Sequence, residues 1–128
     1  GSDVRLVSTG AGRTTCSFFL PDGRRFVYAS THLAGDGCLP APDRSQGYVW
    51  ALYPEYDVFL GSLDGAPPVR LTETAGYDAE AAVSPDGSRI VFTSVRDGDL
   101  ELYSMKTDGG DVKRLIAWCE LASRVVHS

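Results

Sequence analysis

No apolar run in these 128 residues approaches the roughly 20 that a membrane-spanning helix needs, so no span is predicted. Excess positive charge is missing as well. Twelve Lys and Arg stand against 17 Asp and Glu, and a net charge of −5 argues against a binder that tracks nucleic-acid phosphates. Histidine occurs twice, and no G-x-S-x-G, H-E-x-x-H or glycine-rich phosphate loop is present. The chain is therefore expected to be non-enzymatic and to carry no cofactor. Its three cysteines, at 16, 38 and 119, lie too far apart for C-x-x-C pairs, so no cysteine-held metal is expected. Gly1-Ser2 reads as a cloning scar, and no charged segment followed by an apolar one comes after it.

What is present is one four-stranded unit written twice. Phe19-Leu-Pro-Asp-Gly-Arg-Arg-Phe-Val-Tyr-Ala-Ser30 lines up with Val83-Ser-Pro-Asp-Gly-Ser-Arg-Ile-Val-Phe-Thr-Ser94 at a displacement of 64 residues. Tyr56-Asp-Val-Phe59 falls on Leu100-Glu-Leu-Tyr103, and Arg70-Leu71 on Arg114-Leu115, at a displacement of 44. The first copy thus carries 20 extra residues between its halves. Val4-Arg-Leu6 repeats Val69-Arg-Leu71 and reads as a lone outermost strand. A period in the low forties with strand patterning predicts propeller blades.

Asp-Gly pairs at 22–23, 36–37, 64–65, 86–87, 97–98 and 108–109 separate the apolar runs, and such pairs favour hairpin turns. Strands are predicted at 14–20, 25–31, 56–62 and 67–72 in the first copy and at 79–84, 89–95, 100–106 and 111–116 in the second. Arg89-Ile-Val-Phe-Thr-Ser94 is apolar on both faces and fits an inner strand between neighbouring sheets. The fold class is all-β, with two antiparallel four-stranded blades. The boundaries are 3–72 for the first blade with its N-terminal strand and its 33–54 insertion, 73–116 for the second blade, and 117–128 for a non-repeating tail. In that tail Trp118, Leu121, Ala122 and Val125 share one helical face, which predicts either a short covering helix or a frayed end.

The Pro-Asp-Gly turn before an apolar strand, followed by a Tyr-bearing strand and a second Asp-Gly, resembles the TolB-like β-propeller repeats over residues 3–116. That resemblance implies a platform for protein or peptide partners in an extracytoplasmic, bacterial setting. The alternative it implies is a piece of the gating propeller of a peptidase whose catalytic domain lies elsewhere.

Strand alternation puts the insertion on the same end of the blades as Thr14, Cys16, Asp78 and Glu80. His32, Asp57, Tyr48, Trp50, Tyr53 and Tyr56 gather there too. Read functionally, aromatic anchors beside acids form a recognition surface for a basic or peptide-like partner. Read structurally, Tyr48-Val-Trp50 and Leu52-Tyr53 give a long loop its own small core. His32, aligned with Arg96, reads as a solvated or hydrogen-bonded strand-end residue. A calcium site from Asp36, Asp43 and Asp57 would have suitable oxygens but lacks EF-hand spacing. Cys16 and Cys38 read either as two separate buried thiols or, in an exported protein, as a disulfide that would leave Cys119 over. Two blades cannot close a ring, so a sheet face is expected to lie bare at either end. A homo-oligomer, most simply a dimer, would cover those faces with help from Trp118, Leu121 and Val125.

Overall fold

A computed structural model describes residues 1–116. The expected tail helix and the interface residues Trp118, Leu121 and Val125 lie outside the described residues. Eight strands form two four-stranded sheets in simple sequence order. The first blade holds β1 (Thr14–Phe19), β2 (Arg25–Ser30), β3 (Asp57–Ser62) and β4 (Val69–Arg70). The second holds β5 (Asp78–Val83), β6 (Arg89–Ser94), β7 (Glu101–Lys106) and β8 (Lys113–Ile116). Every pairing is antiparallel, and the strands fall where the hairpin punctuation places them.

The Pro-Asp-Gly turns show why the sequence repeats. Asp22 Oδ1 accepts the backbone N–H groups of Arg24 and Arg25 at 2.8 and 2.9 Å, and Gly23 takes φ +66°. Asp86 Oδ1 accepts Ser88 N–H at 3.0 Å, and Gly87 takes φ +75°. In each turn the aspartate closes the backbone and the glycine permits the left-handed residue. The bonds from Arg25 and Arg24 hold the Asp22 carboxyl at about 2, and those from Ser84 and Ser88 do the same for Asp86.

The sheets stack face to face. Val27 and Val58 of the first blade, with Leu60 beside them, pack against Ala81, Val83, Ile90, Phe92, Tyr103 and Met105 of the second. A smaller cluster of Ala29, Tyr56, Tyr77 and Ala79 closes the same interface at the insertion end. The stacking is head to tail. By the repeat, the second blade offers the face containing Ile90 and Phe92, whose counterparts in the first blade are Phe26 and Tyr28.

Two expectations are corrected here. Val4-Arg-Leu6 is not a strand: both apolar side chains are exposed, and the segment runs beside the first blade, with Arg5 donating to the Leu63 carbonyl at 3.2 Å. With only that one side-chain tie, it cannot form the ladder that a fifth strand would need. Nor is the first blade's outward face bare. Phe26, Tyr28 and Phe59 are buried there as an aromatic row, edged by Phe19 and by the His32 ring, whose centroid lies 4.4 Å from that of Phe59. Gly12 helps to hold the N-terminal segment against this end. A Cβ on it would meet the His32 backbone at 2.8 Å, and its N–H donates to Asp36 O.

The second blade's far face is the open one. Val91, Thr93, Leu102 and Ser104 are all half-buried, and a shallow hollow of about 260 Å3 lies over Thr93, Leu100, Leu102 and Ile116.

Candidate functional site

The insertion and the ends of β1 and β5 enclose a cleft of about 230 Å3, lined by Arg13, Thr14, Thr15, Pro42, Arg44, Tyr48, Val49, Trp50, Ala51, Tyr53, Tyr56 and Tyr77. Its floor is rigid. Tyr56 and Tyr77 are buried, their rings edge to face at 5.8 Å, and Asp78 N–H donates to Tyr56 O at 3.1 Å, joining the two blades. Tyr53 packs 6.4 Å from Tyr56, and its hydroxyl donates to the Pro40 carbonyl, tying the insertion to itself. The rim is open. Tyr48 is 77% exposed and Trp50 59%, so neither serves a loop core.

Strands β1 and β5 reach this end through a bulge. The register slips between Thr15 and Phe18 in β1 and between Ala79 and Ala82 in β5, and the bulged residues Cys16 and Glu80 take φ +51° and +57°. A bulge bends its strand and re-aims a side chain, and here both blades use it at equivalent positions. Glu80 is claimed from two sides: Thr93 Oγ1 donates to it at 2.8 Å and the Tyr77 hydroxyl at 3.4 Å. Burial pushes the Tyr77 phenol up to about 12, with the Trp50 side chain pulling the other way.

Cys16 and Cys38 are both free and exposed, neither bridged nor buried. The bulge gives the physical reason, since it sets Cys16 Sγ 3.3 Å from Thr15 Oγ1 instead of against a second sulfur. Asp36, Asp43 and Asp57 do not come together, and no group of three metal-ligating side chains occurs among the described residues.

Of the acids expected beside the aromatics, none lines the cleft. Asp57, at the start of β3, takes Arg70 at 2.8 Å and Thr72 Oγ1 at 3.2 Å. Burial raises its carboxyl against the pull of Arg70. The pair is blade architecture, because the second blade repeats it as Glu101 with Arg114 at 3.2 Å. Asp78 is buried and meets Arg96 at 3.3 Å. His32 occupies the place of Arg96 in its own blade. Its Nδ1 lies 2.9 Å from Ser30 Oγ, as Arg96 Nε lies 2.9 Å from Ser94 Oγ, and burial lowers its pKa against the pull of Asp57.

The charges that do face the cleft are cationic. The Arg13 guanidinium lies over Tyr53 at 5.5 Å, and that of Arg44 over Tyr48 at 5.7 Å. Sequence reasoning missed both, and missed Tyr77. The one available signal was the repeat itself, since Arg13 and Tyr77 are equivalent positions that differ.

No family model matches the chain. Over 79 residues it is 34% identical to Tricorn protease homolog 1 of Streptomyces coelicolor, a match that covers 62% of this chain and 7% of that protein. Over 55 residues it is 38% identical to the Tol-Pal system protein TolB of Bordetella pertussis, covering 42% of this chain and 13% of that one. Among solved structures, one described as TolB from Agrobacterium tumefaciens superposes with a TM-score of 0.60 at 23% identity, over 82% of this chain and 31% of that one. TolB from Acinetobacter baumannii gives 0.56 at 24% identity, over 80% and 21%. The two sheets have the fold of TolB propeller blades. They span about a tenth of the length of the curated relatives they match. No helix among the described residues is long and apolar enough to cross a membrane.

Proposed function

We propose that this TolB-like chain is a protein-binding module that recognises its partner at the insertion-built cleft and catalyses no reaction itself. One observation carries the reading. The two blades share strands, turns and ion pairs, and the long connection added to one of them displays Tyr48 and Trp50 to solvent above a buried tyrosine floor. Exposed aromatic residues on a rigid base are the composition of binding hot spots. The test is capture of partners by the chain and by Trp50→Ala. Loss of capture with an unchanged β-sheet circular dichroism spectrum supports the reading, and loss of the fold would return Trp50 to the loop's own core.

A second reading, a piece of a peptidase's gating propeller, is favoured by the match to the tricorn homolog. The open reading frame surrounding these residues separates the two. The family resemblance supports an extracytoplasmic place. The half-buried face of Val91, Thr93, Leu102 and Ser104 supports association through that face, most simply as a dimer. Sedimentation equilibrium of the chain, beside a Leu102→Lys variant, tests the association; a monomer in both would contradict it.

A further inference from the structure

We propose that the cleft takes an acidic segment of a protein partner, with Asp or Glu side chains seated on Arg13 and Arg44 and an apolar neighbour against Trp50. The inference rests on the binding-module reading and adds the chemistry of the partner. In a chain of net charge −5, two guanidiniums stand at one cleft, and neither has a carboxylate partner among the described residues. Four acids at this end of the blades have partners elsewhere. Asp43 Oδ1 accepts Ser45 N–H at 2.9 Å, Asp57 holds Arg70, Asp78 meets Arg96, and Glu80 receives Thr93.

Stacking on a tyrosine ring satisfies the face of a guanidinium and leaves its N–H edge available for a planar, two-pronged carboxylate contact. Arg13 and Arg44 are both held this way. At about 230 Å3 the cleft is smaller than typical small-molecule pockets and suits a pair of side chains from an extended segment. The chain's net charge of −5 disfavours a continuous phosphate backbone, which favours a peptide over nucleic acid.

The test uses fluorescence anisotropy of labelled, end-blocked hexapeptides, one alternating Glu with Phe and one alternating Lys with Phe, titrated with the whole chain. The expected result is binding of the acidic peptide at least about tenfold tighter than its basic counterpart, weakened by added salt. Arg44→Glu and Arg13→Glu should each weaken it by about tenfold or more, and Arg44→Gln, which keeps the loop's polarity, by less. Several outcomes would overturn the inference: no acidic-peptide binding, equal binding of the two peptides, indifference to the arginine substitutions in folded protein, binding only with a free peptide C-terminus, or tighter binding of an oligothymidylate. Partner capture that Trp50→Ala abolishes but both arginine variants retain would overturn this inference alone. Capture indifferent to Trp50 would remove the underlying reading.

Discussion

Phe26 of the first blade corresponds to Ile90 of the second, and Gly61 across from it corresponds to Met105; the registers Phe26↔Gly61 and Ile90↔Met105 are the same rung of the two sheets. One blade fills the rung with a large ring over a bare backbone, the other with two aliphatic chains of middle size. The two residues of a rung differ together between the blades, the large ring facing a glycine and the middle-sized chain facing another, which is how cores tolerate divergence. The insertion end behaves differently. There Arg13 stands for Tyr77, Cys16 for Glu80, and 26 residues for six between β2 and β3 against β6 and β7, without mutual compensation. Positions bound by packing drift in compensated pairs; positions released from it diverge singly, and the cleft is built from the second kind.

The rung gives the largest expected effect. A Cβ on Gly61 would lie 2.5 Å from the Phe26 ring, so Gly61→Met, the residue the second blade uses, should cost about 3 kcal/mol in urea unfolding. Adding Phe26→Ile should restore a good part of it, with a coupling visible in the double-mutant cycle. Independent, additive losses would break the equivalence of the rungs.

The next rung predicts a gain. Tyr28 is buried, its hydroxyl has no hydrogen-bond partner among the described residues, and the second blade has Phe92 there. Tyr28→Phe should therefore stabilise the chain by about 1 kcal/mol, and Phe92→Tyr should destabilise it by a similar or larger amount. Reversed signs would show that the two equivalent rows are not packed alike.

The smallest effect is the most symmetrical. Asp22 and Asp86 both have folded-state pKa values of about 2, below the ordinary 3.8. A depressed carboxyl contributes stability that is fully present above its unfolded value and is lost as pH falls through the folded one. Stability should thus decline between about pH 4 and pH 2. Asp22→Asn and Asp86→Asn should each flatten that limb to the same degree in pH-dependent thermal melts. A response from one turn only would mean that the repeated turns differ in physical role.

The strands were legible because alternation, Asp-Gly punctuation and the repeat agreed on them, from Thr14 to Ile116. The ion pairs were not legible. Asp57 and Asp78 were grouped with the aromatic residues because topology put them at the same end, but side-chain direction decided otherwise, and both turned to arginines of their own blades. Arg13 and Arg44 escaped notice because stacking on Tyr53 and Tyr48 depends on the path of the insertion, which has no second copy to align against. The bulges at Cys16 and Glu80 left no mark in the pattern, since one unpaired residue shifts the alternation without changing the strand's composition.

The account stands on the claim that the insertion is a recognition element added to an otherwise ordinary blade. Deleting residues 34–53 leaves six residues between the Ser30 end of β2 and the Asp57 start of β3, as many as the second blade has between Ser94 and Glu101. Long surface loops cost little to close and little to lose, so the sheets should persist. Peptide anisotropy and circular dichroism on this deletion should show retained β-sheet signal, cooperative unfolding and no binding of the acidic peptide. Undiminished binding, or sheets that no longer form, would contradict the account.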